Sequence, residues 1–142
     1  MELYDAMSTL RAVRRLRSDP IDDEIVQRIL TAATWAPTGG NMQPWRIVAV
    51  TDADKKQRLE DLYRPHWDSY LPGYEKKIAG APDSIRKPAE RAMEAGNYLA
   101  NHMHEVPMIA VFCYNPGIMT ITDSELGRPS VVGGGSVYPA VQ

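Results

Sequence analysis

The stretch Ala36–Trp45, reading APTGGNMQPW, constrains the fold more than any other part of this chain. Pro37 ends the helix that precedes it, because its ring fixes φ and removes a backbone donor. Gly39 and Gly40 open backbone angles closed to residues carrying a Cβ. The apolar run Trp45–Thr51 follows at once and reads as a buried strand. The chain must therefore pass from helix to strand through a tight, glycine-permissive turn. On that turn stand Asn41 and Gln43, two neutral amides that each donate and accept hydrogen bonds. Alone, the segment is an ordinary helix-to-strand turn. The same amides also suit a planar ring edge on which donors and acceptors alternate, as on a flavin.

With 142 residues, the chain suits one domain, 1–142, with a real core. Its net charge of −2 argues against general nucleic-acid binding. No apolar run approaches the roughly 20 residues of a membrane helix, and no signal peptide is visible, so a cytoplasmic protein is expected. Cys113 is the single cysteine, which fits a reducing compartment. Its place at the end of the run MIAVFC predicts a buried structural thiol.

Helical spacing runs from Leu3 to about Arg14, with Leu3, Met7 and Leu10 on one stripe. A second helix opens near Pro20, with Asp22, Asp23 and Glu24 at its positive end. Ile25, Ile29 and Ala32 or Ala33 should give that helix one buried face. Asp54–Tyr63 reads as a charged, exposed helix. The segment 65–82, rich in proline and aromatic residues, reads as a loop or lid. A long helix is expected from about Ser84 to Glu105, with an apolar stripe through Ile85, Ala89, Met93, Gly96, Leu99 or Ala100 and Met103, and with Pro88 in its first turn or so, then a strand from Met108 to Cys113. The expected class is α+β, with helices on both sides of the strands.

Arginines at 11, 14, 15 and 17 form the second feature. On a helix, Arg11 would converge with Arg14 and Arg15, and paired guanidiniums suit a phosphate. Such a run on its own is usually a solvated surface. The Gly133–Ser136 run lets backbone N–H groups approach a ligand, but no P-loop spacing follows. His102 and His104 point in different directions on a helix, and no third metal ligand accompanies them. No nucleophile elbow or paired catalytic Cys and His is present, so redox chemistry here would have to come from a cofactor.

Taken together, these residues resemble the nitroreductase family of FMN-dependent oxidoreductases. The family's N-terminal arginine motif corresponds to Leu10-Arg11-Ala12-Val13-Arg14, followed by Leu16 and Pro20. Its Ala-Pro-Ser-x-x-Asn-x-Gln-Pro-Trp hallmark is matched at Ala36–Trp45, with Thr38 for serine. Asn101–Cys113 and the terminal GGGSVYPAVQ look like the family's central helix, strand and core-helix start. Leu10 and Ala12 depart from the motif and remove one guanidinium and one hydroxyl. The chain ends at Gln142, where the family's core helix is only beginning, so a C-terminal third is expected to be missing.

The resemblance implies an α+β sandwich, dimeric, with FMN at the subunit interface. It implies that Arg11, Ala12 and Arg14 hold the phosphate, the ribityl chain and the N1/O2 edge of the ring, with Arg14 near N1. Pro37, Thr38, Gly39, Asn41 and Gln43 would approach FMN from the other subunit, and Ser136 would add a polar contact. NAD(P)H would be the reductant, and a nitroaromatic, quinone or similar molecule the acceptor, by ping-pong hydride transfer without a covalent catalytic residue or a metal. Trp67, Tyr70 and Tyr74 would shape acceptor choice. The alternative is a non-catalytic remnant that binds a flavin or deazaflavin weakly or pairs with a full-length relative.

Overall fold

The computed structural model describes residues 2–119, 121–128, 130 and 134–142. Helices accompany a small antiparallel sheet, an α+β architecture. The chain packs as two compact units, one running to Asp19 and resuming over Asp52–Pro107, the other comprising Pro20–Thr51 and Met108–Gln142.

In the first unit, α1 spans only Leu3–Thr9, shorter than the predicted Leu3–Arg14. The hydroxyls of Ser8 and Thr9 both turn back to the Asp5 carbonyl, at 3.2 and 2.5 Å. Leu10 then leaves helical geometry at ψ 128°. The Arg11 guanidinium donates to the carbonyls of Ser8 (3.0 Å) and Leu10 (2.7 Å), satisfying acceptors that a continuing helix would have used. Arg11–Arg17 is therefore not helical, and the spacing that would converge Arg11 with Arg14 and Arg15 does not apply.

The predicted charged helix and the predicted lid form one helix, α3, spanning Ala53–Ile78. Asp52 caps it, accepting from the Lys55 N–H at 2.9 Å. Pro65 and Pro72 lie inside it, although an interior proline costs about 3 kcal/mol. An aromatic ladder at helical spacing accompanies them: Tyr63–Trp67 at 6.4 Å, Trp67–Tyr70 at 5.7 Å and Tyr70–Tyr74 at 5.7 Å between centroids. Trp67 also lies over Gly96 of α4 (Asp83–His102), where a Cβ would meet Trp67 Cζ2 at 2.7 Å.

Nor is α3 simply an exposed charged helix, because Lys56 and Glu60 are buried. Lys56 Nζ donates to the Val106 carbonyl at 2.6 Å. Along α4 the predicted stripe buries Gly96 and Ala100, while Ile85 stays exposed. Pro88 is the sixth residue of α4, close to its expected place near the start of the helix. Arg86 and Lys87 pair with Asp83, and Arg86 with Glu90, across those first turns. The bonds from Lys87 and Arg86 hold the Asp83 carboxyl below its ordinary range.

The second unit contains α2 (Asp23–Thr34), β1 (Trp45–Val50), β2 (Ile109–Tyr114) and α5 (Tyr138–Val141). The strands pair antiparallel, from Trp45 opposite Tyr114 to Val50 opposite Ile109. The Asn115 N–H to Pro44 carbonyl bond, at 2.8 Å, extends the ladder by one step. In that register Arg46 stands opposite Cys113, on the face away from Ala110 and Phe112. The thiol is exposed and not buried: Cys113 and Tyr114 at the end of β2 are exposed, while Ile109, Val111 and Phe112 are half-buried.

Helix α2 holds no buried residue, and Ile25 and Ile29, predicted as its buried face, are 45% and 53% exposed. Val26, Leu30 and Ala33 form the half-buried stripe instead. Neighbouring residues on a helix differ by about 100°, so α2 carries two apolar stripes and spacing alone does not choose between them. Leu30, Ala33, Phe112 and Ala140 line one pocket of this unit, together with Ile29, and Trp45, Val137 and Ala140 are buried apolar residues among those described.

Candidate functional site: the glycine turn and the arginine segment

The turn after α2 folds around Thr38. Its carbonyl accepts the Asn41 N–H at 2.9 Å, and its Oγ1 accepts the Gln43 N–H at 3.0 Å. Gln43 Nε2 donates to Asn41 Oδ1 at 3.0 Å and lies 3.4 Å from Thr38 Oγ1. Gly39–Asn41 makes a single 3₁₀ turn, with Gly40 at φ 58°. Asn41 and Gln43 also sit in the left-handed region, at φ 53° and 46°. Left-handed backbone at a residue with a Cβ costs of order 1–3 kcal/mol and clusters at functional sites. Sequence reasoning assigned the unusual angles to the glycines. Only Gly40 of the pair uses one, and the two amide residues carry the others.

This strained geometry has a chemical result. With Gln43 Nε2 and Asn41 Oδ1 engaged with each other, the donor Asn41 Nδ2 and the acceptor Gln43 Oε1 have no partner among the described residues. Asn41 is exposed and Gln43 half-buried. The turn thus offers one amide donor and one amide acceptor from residues two apart in sequence. Pro37 and Gly39 are exposed and Thr38 half-buried. Trp45 closes the motif at 8% exposure, its Nε1 without a partner among the described residues.

Ser136 belongs to the same unit and reaches the turn directly. Its Oγ accepts the Gly39 N–H at 3.1 Å, so it braces the loop that carries the amides. Gly133 lies outside the described residues. At Gly134 a Cβ would run into the Tyr138 ring, 2.6 Å from its hydroxyl oxygen, so this glycine serves the close packing of α5. Gln43 also lines a cavity of about 410 Å³, with Met42, Pro44, Arg46 and Cys113. Arg46 Nη1 is held there by the Trp45 carbonyl at 2.7 Å.

Arg11, Ala12 and Arg14 belong to the other unit. Arg11 caps α1, Arg15 pairs with Glu94 at 3.1 Å, and Arg17 with Asp19 at 2.6 Å. Arg14 makes a 3.3 Å bond to the Ala12 carbonyl and has no acidic partner among the described residues. Ala12 is exposed and Arg14 half-buried. Neither Arg11 nor Arg14 has an acidic partner among the described residues; Arg11 bonds to two backbone carbonyls and Arg14 to one.

The two histidines have other work. His102 Nδ1 donates to the Tyr98 carbonyl at 2.8 Å, and its ring stacks on Tyr98. His104 offers its backbone N–H (3.0 Å) and Nδ1 (2.7 Å) to Glu60 Oε2, while Arg64 reaches Oε1 at 3.2 Å. Burial pushes the Glu60 carboxyl up, but the His104 bonds and the charges of His104 and Arg64 outweigh it. The net position is below the ordinary carboxylate value. Among the described residues no group of three His, Cys, Asp or Glu is arranged to hold a metal.

Comparison with known proteins gives this geometry a context. The model of the nitroreductase family matches residues 9–130. The chain belongs to the nitroreductase family. A 5,6-dimethylbenzimidazole synthase of Rhodospirillum rubrum is 33% identical over 128 residues, covering 86% of this chain and 54% of that relative. The chain thus spans about half the length of that curated relative. Among solved structures, a BluB-like flavoprotein from Clostridium difficile superposes with a TM-score of 0.58 at 22% identity, over 99% of this chain and 66% of that one. A nitroreductase with bound FMN from Desulfitobacterium hafniense gives 0.56 at 22% identity, over 97% of this chain and 61% of that one. Nitroreductase-like folding over essentially the whole chain follows from these likenesses.

Proposed function

We propose that this chain is an FMN-binding oxidoreductase module, with NAD(P)H as reductant and a nitroaromatic, quinone or similar molecule as acceptor. The observation that carries the reading is the turn at Thr38–Gln43, where two left-handed residues, two apart in sequence, leave one amide donor and one amide acceptor without a partner among the described residues. Bound FMN would supply the hydride chemistry, taking a hydride from the nicotinamide and delivering it onward. The chain's residues supply recognition and charge. Asn41 Nδ2 and Gln43 Oε1 would pair with the ring edge, Thr38 and Ser136 keep the turn in shape, and Pro37 and Gly39 bound its approach. Arg14 of the other subunit would place positive charge at the N1/O2 edge, where reduction leaves a negative charge. Arg11 and Ala12 would lie beside the phosphate and ribityl chain.

Membership of the nitroreductase family and the FMN held by the D. hafniense relative support this assignment. The outward stripe of α2, with Ile25, Ile29 and Trp35 exposed, supports a homodimer, because a second copy would cover apolar surface otherwise left in water. We place the protein in the cytoplasm. Among the described residues no helix is long and apolar enough to cross a membrane.

FMN titration of Asn41→Gly and Asn41→Ala tests the reading. Glycine keeps the left-handed turn and deletes the amide together with its bond to Gln43 Nε2, so it separates the side-chain pair from backbone shape. Both variants should bind FMN about five- to tenfold more weakly, the scale of one hydrogen bond. Wild-type affinity in Asn41→Gly would remove the amide from the site.

A further inference from the structure

Arg14 has no acidic partner among the described residues and lies on a segment that is not helical, with one bond to the Ala12 carbonyl. Its neighbour Arg15 is fixed twice over. Arg15 Nη2 lies 3.1 Å from Glu94 Oε1, and its guanidinium carbon sits 4.3 Å from the centroid of the Tyr98 ring. The other face of that ring is covered by His102, stacked at 4.0 Å with planes 7° apart. A guanidinium and an imidazole this close to one centroid must take opposite faces, since a single face has no room for both. Glu94, Tyr98 and His102 are spaced by four along α4 and form one row on its surface. His102 is itself tied to the helix backbone through the Tyr98 carbonyl.

We propose that this row is a clamp and that Arg15 is a positioning residue for Arg14. Arg11 fixes one end of the segment by capping α1, and Arg15 fixes the other by entering the row. Only Ala12, Val13 and Arg14 lie between the two anchors. Arg14 is thereby presented with few conformations to lose on meeting an anionic partner, which raises affinity without any new contact. This inference rests on the flavin reading, in which Arg14 faces the N1/O2 edge, but the clamp itself is a property of the ligand-free chain.

The test combines amide hydrogen exchange over residues 11–17 of the ligand-free protein with titration of oxidised and of reduced FMN. Arg15→Gln and Tyr98→Leu break the clamp, whereas Arg15→Lys and Tyr98→Phe keep a cation over an aromatic ring. In the first two, exchange at 12–16 should accelerate. Affinity for reduced FMN should fall about three- to tenfold further than affinity for the oxidised form, the scale of an exposed cation–π contact plus a surface ion pair. Arg15→Lys and Tyr98→Phe should restore both readouts.

Unchanged exchange in Arg15→Gln, or equal weakening of both redox forms, would overturn the positioning role while leaving flavin binding intact. Wild-type protein that binds neither form would overturn the flavin reading and the role with it. Thermal melts confirm that each variant is folded.

Discussion

Glu60 offers the sharpest stability prediction, because a carboxylate only 1% exposed is rare and every bond it makes is identified. Oε2 accepts from the His104 N–H and Nδ1, and Oε1 from Arg64. In Glu60→Gln one carbonyl oxygen can still serve His104, but the new NH₂ then faces the Arg64 guanidinium, donor against donor. One charge-assisted bond is lost, at about 1.5–3 kcal/mol. Glu60→Ala loses all three bonds and the side-chain volume, and should cost about 3–5 kcal/mol, toward the lower end because Arg64 and His104 are partly solvated.

The pH dependence has a definite sign. The carboxyl is depressed in the folded state, so its contribution is fully present above the unfolded value, about 4.3. That contribution is lost as pH falls through the lower folded value. Urea unfolding of the wild type should therefore show stability falling below about pH 4, and Glu60→Gln should lack that component. A Glu60→Gln variant within about 0.5 kcal/mol of wild type, with the same acid slope, would refute the reasoning.

The other predictions concern separate places in the chain. Gly96→Ala should destabilise by up to about 2 kcal/mol, overpacking against Trp67 less the helix gain, whereas Gly73→Ala, with open space around it, should stabilise by about 0.4–1 kcal/mol. Equal melting temperatures for the two variants would remove Trp67 from its seat on Gly96. Arg14→Ala should weaken FMN binding by about 1.5–3 kcal/mol, the range for a bond to a charged group, and an unchanged titration would refute its assignment. Cys113 should react with a thiol reagent in the native protein nearly as fast as in urea, and strong native protection would contradict its exposed place opposite Arg46.

The elements that sequence made legible were those whose determinants are local. Pro37 and the apolar run after it set the helix-to-strand passage, and the stripe through Gly96 and Ala100 set α4. What stayed hidden depended on partners distant in sequence. Nothing near Pro65 and Pro72 says that Trp67 will find its seat on Gly96 of α4. Lys56 and Glu60 look like solvated charges until Val106 and His104 meet them. Arg11 looks like a helical residue until its guanidinium caps the helix it was expected to extend. Within the candidate site, the residue types at 38–43 were readable from the motif. The left-handed backbone of Asn41 and Gln43, which frees one donor and one acceptor, needed coordinates.

The most direct test of the central claim is a visible absorption spectrum of the purified 142-residue protein, taken as isolated and during FMN titration. The account predicts a flavin band that co-elutes with the protein, or a saturable spectral shift as FMN is added. A colourless protein whose titration reproduces the spectrum of free FMN at every point would contradict it.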